Sequence, residues 1–248
     1  MSGDAPLSAA EKTLSVLEAL ADHSRIADIA DASGLPKATV HRILQTLVQR
    51  GFARADGRGG YLGGPRILSL AGRFLQRLDV AGHVRPTLRD LQERSGWTVH
   101  LALRSGDEAV YVAKEEGVRP YHLASRVGMG LRLHCTSIGK AILAALPDDE
   151  VRALLRRTGL PARTERTITD ERALLAELAA VRRRGYAEDH EENEAGVRAY
   201  GAAVVDHTGE VVGGVSAAAL VDLAEEPADL PQRVVRAAAE VSRALGAR

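Results

Sequence analysis

The sequence predicts an α+β protein in two parts: an N-terminal winged helix-turn-helix, and a C-terminal domain built on an antiparallel sheet with helices. Three observations predict it. Apolar residues recur at helical spacing on both sides of a Gly-containing turn at residues 33–36. A Gly-rich hairpin pattern follows at 51–63. Beyond residue 81, strand and helix patterns mix without regular alternation, which favours an antiparallel sheet over a parallel one. A length of 248 residues accommodates one large or two modest domains.

A helix begins at Ser8, because Ser8 and Glu11 stand at the spacing of a capping box. Ala10, Leu14, Leu17 and Ala21 recur at i, i+4, i+7 and i+11 and are expected to form its buried face. Asp22-His23-Ser24 breaks it, and Ile26, Ile29 and Ala30 form a short second stripe ended by Ser33-Gly34. Gly34 suits the left-handed position that follows a helix. Pro36 is placed at the first position of a third helix, where its missing N–H does no harm. Val40, Ile43, Leu44 and Leu47 are that helix's buried stripe, and Gly51 stops it. Helix, short helix, tight turn and longer helix make a helix-turn-helix.

The opposite face of the third helix carries Ala38, Arg42, Gln45 and Gln49, flanked by Thr39 and His41, with Lys37 in the first turn. Arg matches guanine, Gln matches adenine, and Thr and Lys serve phosphate or base. The N-terminal part of such a helix enters the major groove. The plainer reading of a polar face is a solvated surface. Residues 51–54 and 60–63 read as two short strands around a turn-rich tip, a wing from which Arg54 and Arg58 reach phosphate or minor groove. The chain has 33 basic and 33 acidic residues, so overall charge argues for no partner. Residues 25–66, however, hold seven basic and three acidic residues, a local excess of four that attracts phosphate. Together these features point to double-stranded DNA. Only eight aromatics are present, which disfavours single-strand binding by base stacking.

Pro65 opens a further helix bearing Ile67, Leu68, Leu70, Ala71, Phe74, Leu75 and Leu78, a stripe too broad for one small winged module to bury. It is expected to pair in a dimer, the alternative being packing on its own domain. A helix near 86–94 precedes an alternating, half-buried strand at 97–103, a second strand at 109–114 and a third at 121–126. Helices follow at 138–146 and 171–184, long strands at 197–205 and 211–219, and a last helix from Pro231. Residues 188–194 read as a solvated acidic loop.

No cofactor and no metal are expected. The stretch at 138–141 lacks the Gly and the Ser or Thr of a phosphate loop, and Gly128-Met129-Gly130 lacks the third glycine of a dinucleotide turn. Cys135 beside His134 has no third catalytic partner, and a lone Cys is more often a buried small hydrophobe. No apolar run is long enough to span a bilayer, and residues 1–12 lack a signal-peptide pattern, so the expected compartment is cytoplasmic.

The residues also resemble the IclR family of bacterial transcription regulators. The resemblance runs through Ile29-Ala30, Gly34–Leu44, Gly51-Phe52 and Tyr61-Leu62-Gly63. It continues through Leu133–Ala141, Thr164, Thr167–Thr169, Val181–Asp189, Glu192, Gly196–Arg198 and Gly213–Ser216, and so covers about the whole chain. It implies a winged helix-turn-helix over 1–64, a linker helix over 65–80 and a GAF-like effector domain over 81–248. It further implies homodimers, often dimers of dimers, that bind operator DNA and respond to a small metabolite, with repression the commoner outcome. The DNA-binding set is then Lys37, Ala38, Thr39, His41, Arg42, Gln45, Arg54 and Arg58. By the same resemblance, effector contacts fall on Ser137 and Ile138 at a helix start, Asp189, Ala199, Ser216 and Ala218, with Leu123, Met129 and Leu131 as an apolar wall. The structural alternatives are Ser137 as a helix cap and Asp189 as an ion-pair partner of Arg182–Arg184.

Members that bind small keto acids often carry Cys and Ser where this chain has Ala199 and Ala218; Tyr200 and Ala203 also depart from the usual residues. These changes imply a more apolar pocket and a larger or less polar effector than glyoxylate, such as an aromatic acid or its derivative. The rival readings are a metabolite-binding enzyme with a vestigial DNA module and an architectural DNA protein without an effector.

Overall fold

The computed structural model describes residues 7–77, 84–117, 123–221 and 226–247, which fall into two compact units divided between Arg77 and Leu78.

In the N-terminal unit, α1 (Ala9–Asp22), α2 (Ile26–Ser33) and α3 (Lys37–Gln49) precede a hairpin of β1 (Ala53–Ala55) and β2 (Tyr61–Gly63) and then α4 (Pro65–Arg77). Ser8 and Glu11 form the capping box reciprocally. Gly34 ends α2 at φ 66°, a backbone that side-chain-bearing residues adopt at a cost. Pro36 stands one residue earlier than expected, at the N-cap of α3, where its carbonyl accepts from Thr39 and Val40.

Of the expected α1 stripe only Leu17 packs against the core, half-buried. Val16 and Leu20 enter the core with Ile29, Val40, Leu44 and Leu47, whereas Leu14 is 57% exposed and Ala10 and Ala21 face solvent. Two apolar stripes overlap on this helix, and the positions of α2 and α3 decide which one packs. On α4, Leu68 is 76% exposed and Ile67 lies at the surface beside it. The side chains of Phe74 and Leu75, and all of Leu78, lie outside the described residues, as do linker positions 79 and 80.

The C-terminal unit contains α5 (Arg85–Ser95), β3 (Thr98–Ser105), β4 (Glu108–Glu115), β5 (Gly130–Arg132), α6 (Ser137–Ala145) and α7 (Asp148–Thr158). Then come α8 (Glu171–Arg184), β6 (Ala187–His190), β7 (Val197–Val205), β8 (Val211–Leu220) and α9 (Leu230–Ala244). Its six strands form one antiparallel sheet in the order β5-β4-β3-β8-β7-β6. One face packs against α6, α7 and α8 through Ala102, Ala109 and Ala187. Helices α5 and α9 pack on the other face, over Val99, Leu101 and Ala217.

Three sequence expectations do not hold in the structure. The strand at 97–103 is buried on both faces, because helices or a cavity wall cover each side. No strand occupies 123–126: β5 takes the ladder beside β4, and the carbonyls of Leu123 and Ser125 accept instead from Lys114 Nζ at 3.0 and 2.7 Å. Tyr121 lies outside the described residues. The acidic stretch 188–194 is not a solvated loop, since it starts in β6 and buries Asp189 and Glu192. Helix α7 was not anticipated, although three acidic residues in its first turn and two arginines in its last match the helix dipole.

Candidate functional site

In the N-terminal unit the exposed face of α3 carries Lys37, Ala38, His41, Arg42 and Gln45, with Thr39 half-buried at its edge. The core stripe Val40, Leu44 and Leu47 fixes that face outward. The wing is set by Asp56, whose Oδ1 accepts from the N–H groups of Arg58 and Gly60 at 2.7 and 2.8 Å. Those donors hold its carboxyl below the usual range. The N–H of Tyr61 donates to the Ser24 carbonyl at 2.8 Å and ties the hairpin to the turn between α1 and α2. Arg54 on β1 and Arg58 at the tip are exposed. Among the described residues Lys37, Arg42 and Arg54 have no ion-pair partner, so their charge is directed to solvent.

The C-terminal unit holds a cavity of about 290 Å³ bordered by the sheet and the start of α6. All nine residues singled out for this unit line it: Leu123, Met129, Leu131, Ser137, Ile138, Asp189, Ala199, Ser216 and Ala218. They come from β5, α6, β6, β7, β8 and the segment before β5, so the topology gathers positions up to 95 residues apart (from 123 to 218). Gly201 on β7 makes this possible, because a Cβ there would lie 2.5 Å from the Ser137 carbonyl carbon and 2.7 Å from the Ile138 nitrogen. The start of α6 therefore rests directly on the sheet. Thr136, not Ser137, caps the helix, with its Oγ1 accepting from Gly139 N–H at 3.1 Å. The N–H groups of Ser137 and Ile138 enter no hydrogen bond among the described residues. A helix start with two free donors favours an anionic or polarised oxygen.

Asp189 forms no pair with the arginines of α8. Its Oδ1 accepts from Glu192 and Asn193 N–H at 2.8 and 3.3 Å, while Arg182 pairs with Asp148 and Arg184 with Glu177. Burial raises the Asp189 carboxyl to about 7, the charge of Glu192 adds to the rise, and the two N–H donors oppose it. The loop after β6 is held from three sides. Asp189 binds its backbone, Thr164 and Thr167 donate to the carbonyls of Glu191 and Glu192, and Lys140 pairs with the Glu192 carboxylate.

The cavity is more polar than the alanines alone imply. Ala199 and Ala218 contribute no hydrogen-bonding side chain, but His100, Tyr111, Ser125, Arg132, Thr136, Arg163 and Asn193 also line it. Sequence reading passed over these positions. His100 carries the one usable signal, a polar side chain at an alternating position on a strand now known to be buried on both faces. Burial, with Lys114 nearby, depresses its imidazole to about 3, so it stays neutral. Cys135 is fully buried and its thiol is pushed up to about 12, chiefly by burial. Among the described residues no three His, Cys, Asp or Glu side chains gather as a metal site, and no helix is long and apolar enough to cross a membrane.

The chain matches the IclR helix-turn-helix domain over residues 9–57 and the bacterial transcriptional regulator IclR C-terminal domain over residues 72–243. It is 33% identical over 242 residues to the HTH-type transcriptional regulator XynR of Escherichia coli, covering 95% of this chain and 96% of that one. It is 32% identical over 241 residues to the transcriptional repressor IclR of the same organism, covering 94% and 88%. Its structure resembles that of an IclR homologue from Microbacterium hydrocarbonoxydans complexed with 4-hydroxybenzoate, with TM-score 0.81, 25% identity and coverage of 96% and 99%. With both domains matched in order, the chain belongs to the IclR family of bacterial transcriptional regulators.

Proposed function

We propose that this regulator is a cytoplasmic repressor whose operator binding is modulated by an aromatic carboxylate held in the cavity under α6. The observation that carries the reading is the pairing of two free N–H donors at Ser137 and Ile138 with a floor of small residues at Ala199 and Ala218. The donors suit a carboxylate, and the alanines leave room for a ring. Ser216 and Asp189 supply polar contacts, and Leu123, Met129 and Leu131 the apolar wall. A repressor among its relatives and the 4-hydroxybenzoate complex of a structural neighbour support the same reading.

On DNA, Lys37, Ala38, Thr39, His41, Arg42 and Gln45 face the major groove, and Arg54 and Arg58 reach the backbone. The exposed apolar surface at Ile67 and Leu68 on α4 pairs with a second copy, giving a homodimer or a dimer of dimers. The enzyme reading finds no support at Cys135, whose buried thiol is held far from ionisation. A thermal-shift panel on the full chain tests the effector class. Benzoate-type acids are expected to raise the melting temperature and glyoxylate and pyruvate are not; the reverse pattern contradicts the reading.

A further inference from the structure

The polar wall of the cavity opposite the α6 start centres on His100, a residue outside the set proposed above. Gly201, Ser216 and His100 are adjacent partners on β7, β8 and β3, in one row across the sheet. Gly201 lies beneath Ser137 and Ile138. His100 is therefore two strand spacings away, about 10 Å, a span suited to one ring carrying a polar group at each end.

His100 is 2% exposed and borders the cavity. Its Nε2 is 2.8 Å from Ser125 Oγ, and Tyr111 packs with its ring centroid 4.7 Å away. Its Nδ1 has no hydrogen-bond partner among the described residues. A buried imidazole nitrogen left unpaired costs free energy, and a ligand that pairs it recovers that cost. Lys114 cannot serve as an anion receptor beside it. Its Nζ already donates to the Leu123 and Ser125 carbonyls and pairs with Glu116 at 2.8 Å.

We propose that His100 is a specificity-determining residue that reads a hydroxyl or oxo substituent on the effector ring, at the end opposite the carboxylate. The inference rests on the aromatic-carboxylate reading and deepens it. A neutral imidazole matches an uncharged group. Ser125 can donate to Nε2, leaving Nδ1–H as a donor, or accept from Nε2–H, leaving Nδ1 as an acceptor. The pair therefore suits a hydroxyl in either sense. Ala199 and Ala218 flank the path between the two ends and keep it clear for the ring.

Calorimetric titration of the full chain with benzoate, 4-methylbenzoate and 4-hydroxybenzoate tests this, in the wild type and in His100→Leu and His100→Gln. The wild type is expected to bind 4-hydroxybenzoate about tenfold or more tightly than the other two. His100→Leu should bring the three affinities within about twofold while benzoate still binds, and His100→Gln, which keeps a donor and an acceptor, should restore part of the preference. Ser125→Ala is the milder probe should the first variant fail to fold, and it should narrow the preference. If the benzoates bind without a hydroxyl preference, or the preference survives His100→Leu or Ser125→Ala undiminished, this inference is overturned and the aromatic-carboxylate reading stands. If none of the three binds the wild type, both fall.

Discussion

The ammonium of Lys140 on α6 is paired with the carboxylate of Glu192 in the interior of the C-terminal unit, their side chains 2% and 10% exposed. The pair joins the helix that starts at the cavity to the loop that walls it. Glu177 extends it at 3.9 Å and is itself held by Arg184 at 2.6 Å. The second oxygen of Glu192 has no partner among the described residues, so the carboxylate depends on Lys140.

Removing one member of such a pair strands the other. Lys140→Met is expected to cost about 3–5 kcal/mol of unfolding free energy, because a buried carboxylate loses its counter-charge. Replacing both, Lys140→Met with Glu192→Leu, should recover a large part of that loss. Urea unfolding followed by circular dichroism reads both values, and a single-variant cost below about 1 kcal/mol would show the pair to be dispensable.

Asp189 gives the cavity a pH dependence whose sign is fixed. Its carboxyl titrates at about 7 in the fold, against about 3.9 unfolded. Its protonated form therefore stabilises the fold fully below the unfolded value, and that contribution is lost as pH rises to about 7. A bound carboxylate meets a neutral Asp189 below that point and a like charge above it. Aromatic-acid affinity is then expected to fall as pH rises through about 7. His100, at about 3, does not titrate in this range. Asp189→Asn keeps an oxygen to accept from Glu192 and Asn193 N–H and should flatten the profile between pH 6 and 8; an unchanged profile in that variant would refute the assignment.

Arg42 lies in the middle of the exposed α3 face. Arg42→Ala is expected to lose about 1–3 kcal/mol of operator binding and to relax preference at one base pair. Arg58→Ala at the wing tip should instead weaken binding on all sequences alike and lower the salt slope by about 1. Gel-shift titrations over a set of single-base operator variants separate the two patterns, and wild-type affinity for Arg42→Ala contradicts the groove placement.

Leu68, 76% exposed on α4, is the sharpest probe of assembly. Leu68→Glu places a charge on the apolar surface proposed to meet a second copy. Sedimentation velocity is expected to show a shift toward monomer, with operator affinity falling in step. An unchanged sedimentation coefficient would place the contact elsewhere.

Much of this was legible in the sequence wherever local chemistry decides structure. The Ser8–Glu11 box, the Gly34 turn, the α3 stripe and the hairpin each follow from residues a few positions apart, and each appears where expected. What sequence spacing cannot settle is which of two competing features meets a partner. On α1 the Val16–Leu20 stripe won over Leu14 and Ala21 because α2 and α3 lie on that side. The acidic stretch 188–194 looked solvated, yet Lys140, 52 residues away in sequence, draws Glu192 inside. The nine cavity positions were reached through family resemblance, and the sheet does bring them together. Arg132 and Arg163 were missed because only the fold places them at the same opening as His100.

If one chain couples salt-sensitive operator binding to an aromatic acid in the α6 cavity, both responses appear in a single titration. Fluorescence anisotropy of the full-length protein on duplex DNA from its own promoter, titrated with salt and with 4-hydroxybenzoate, tests it directly. Binding is expected to weaken steeply with salt, and operator affinity to change about 5- to 150-fold with the ligand. Operator binding that the ligand leaves unchanged, or no salt-dependent binding at all, would contradict it.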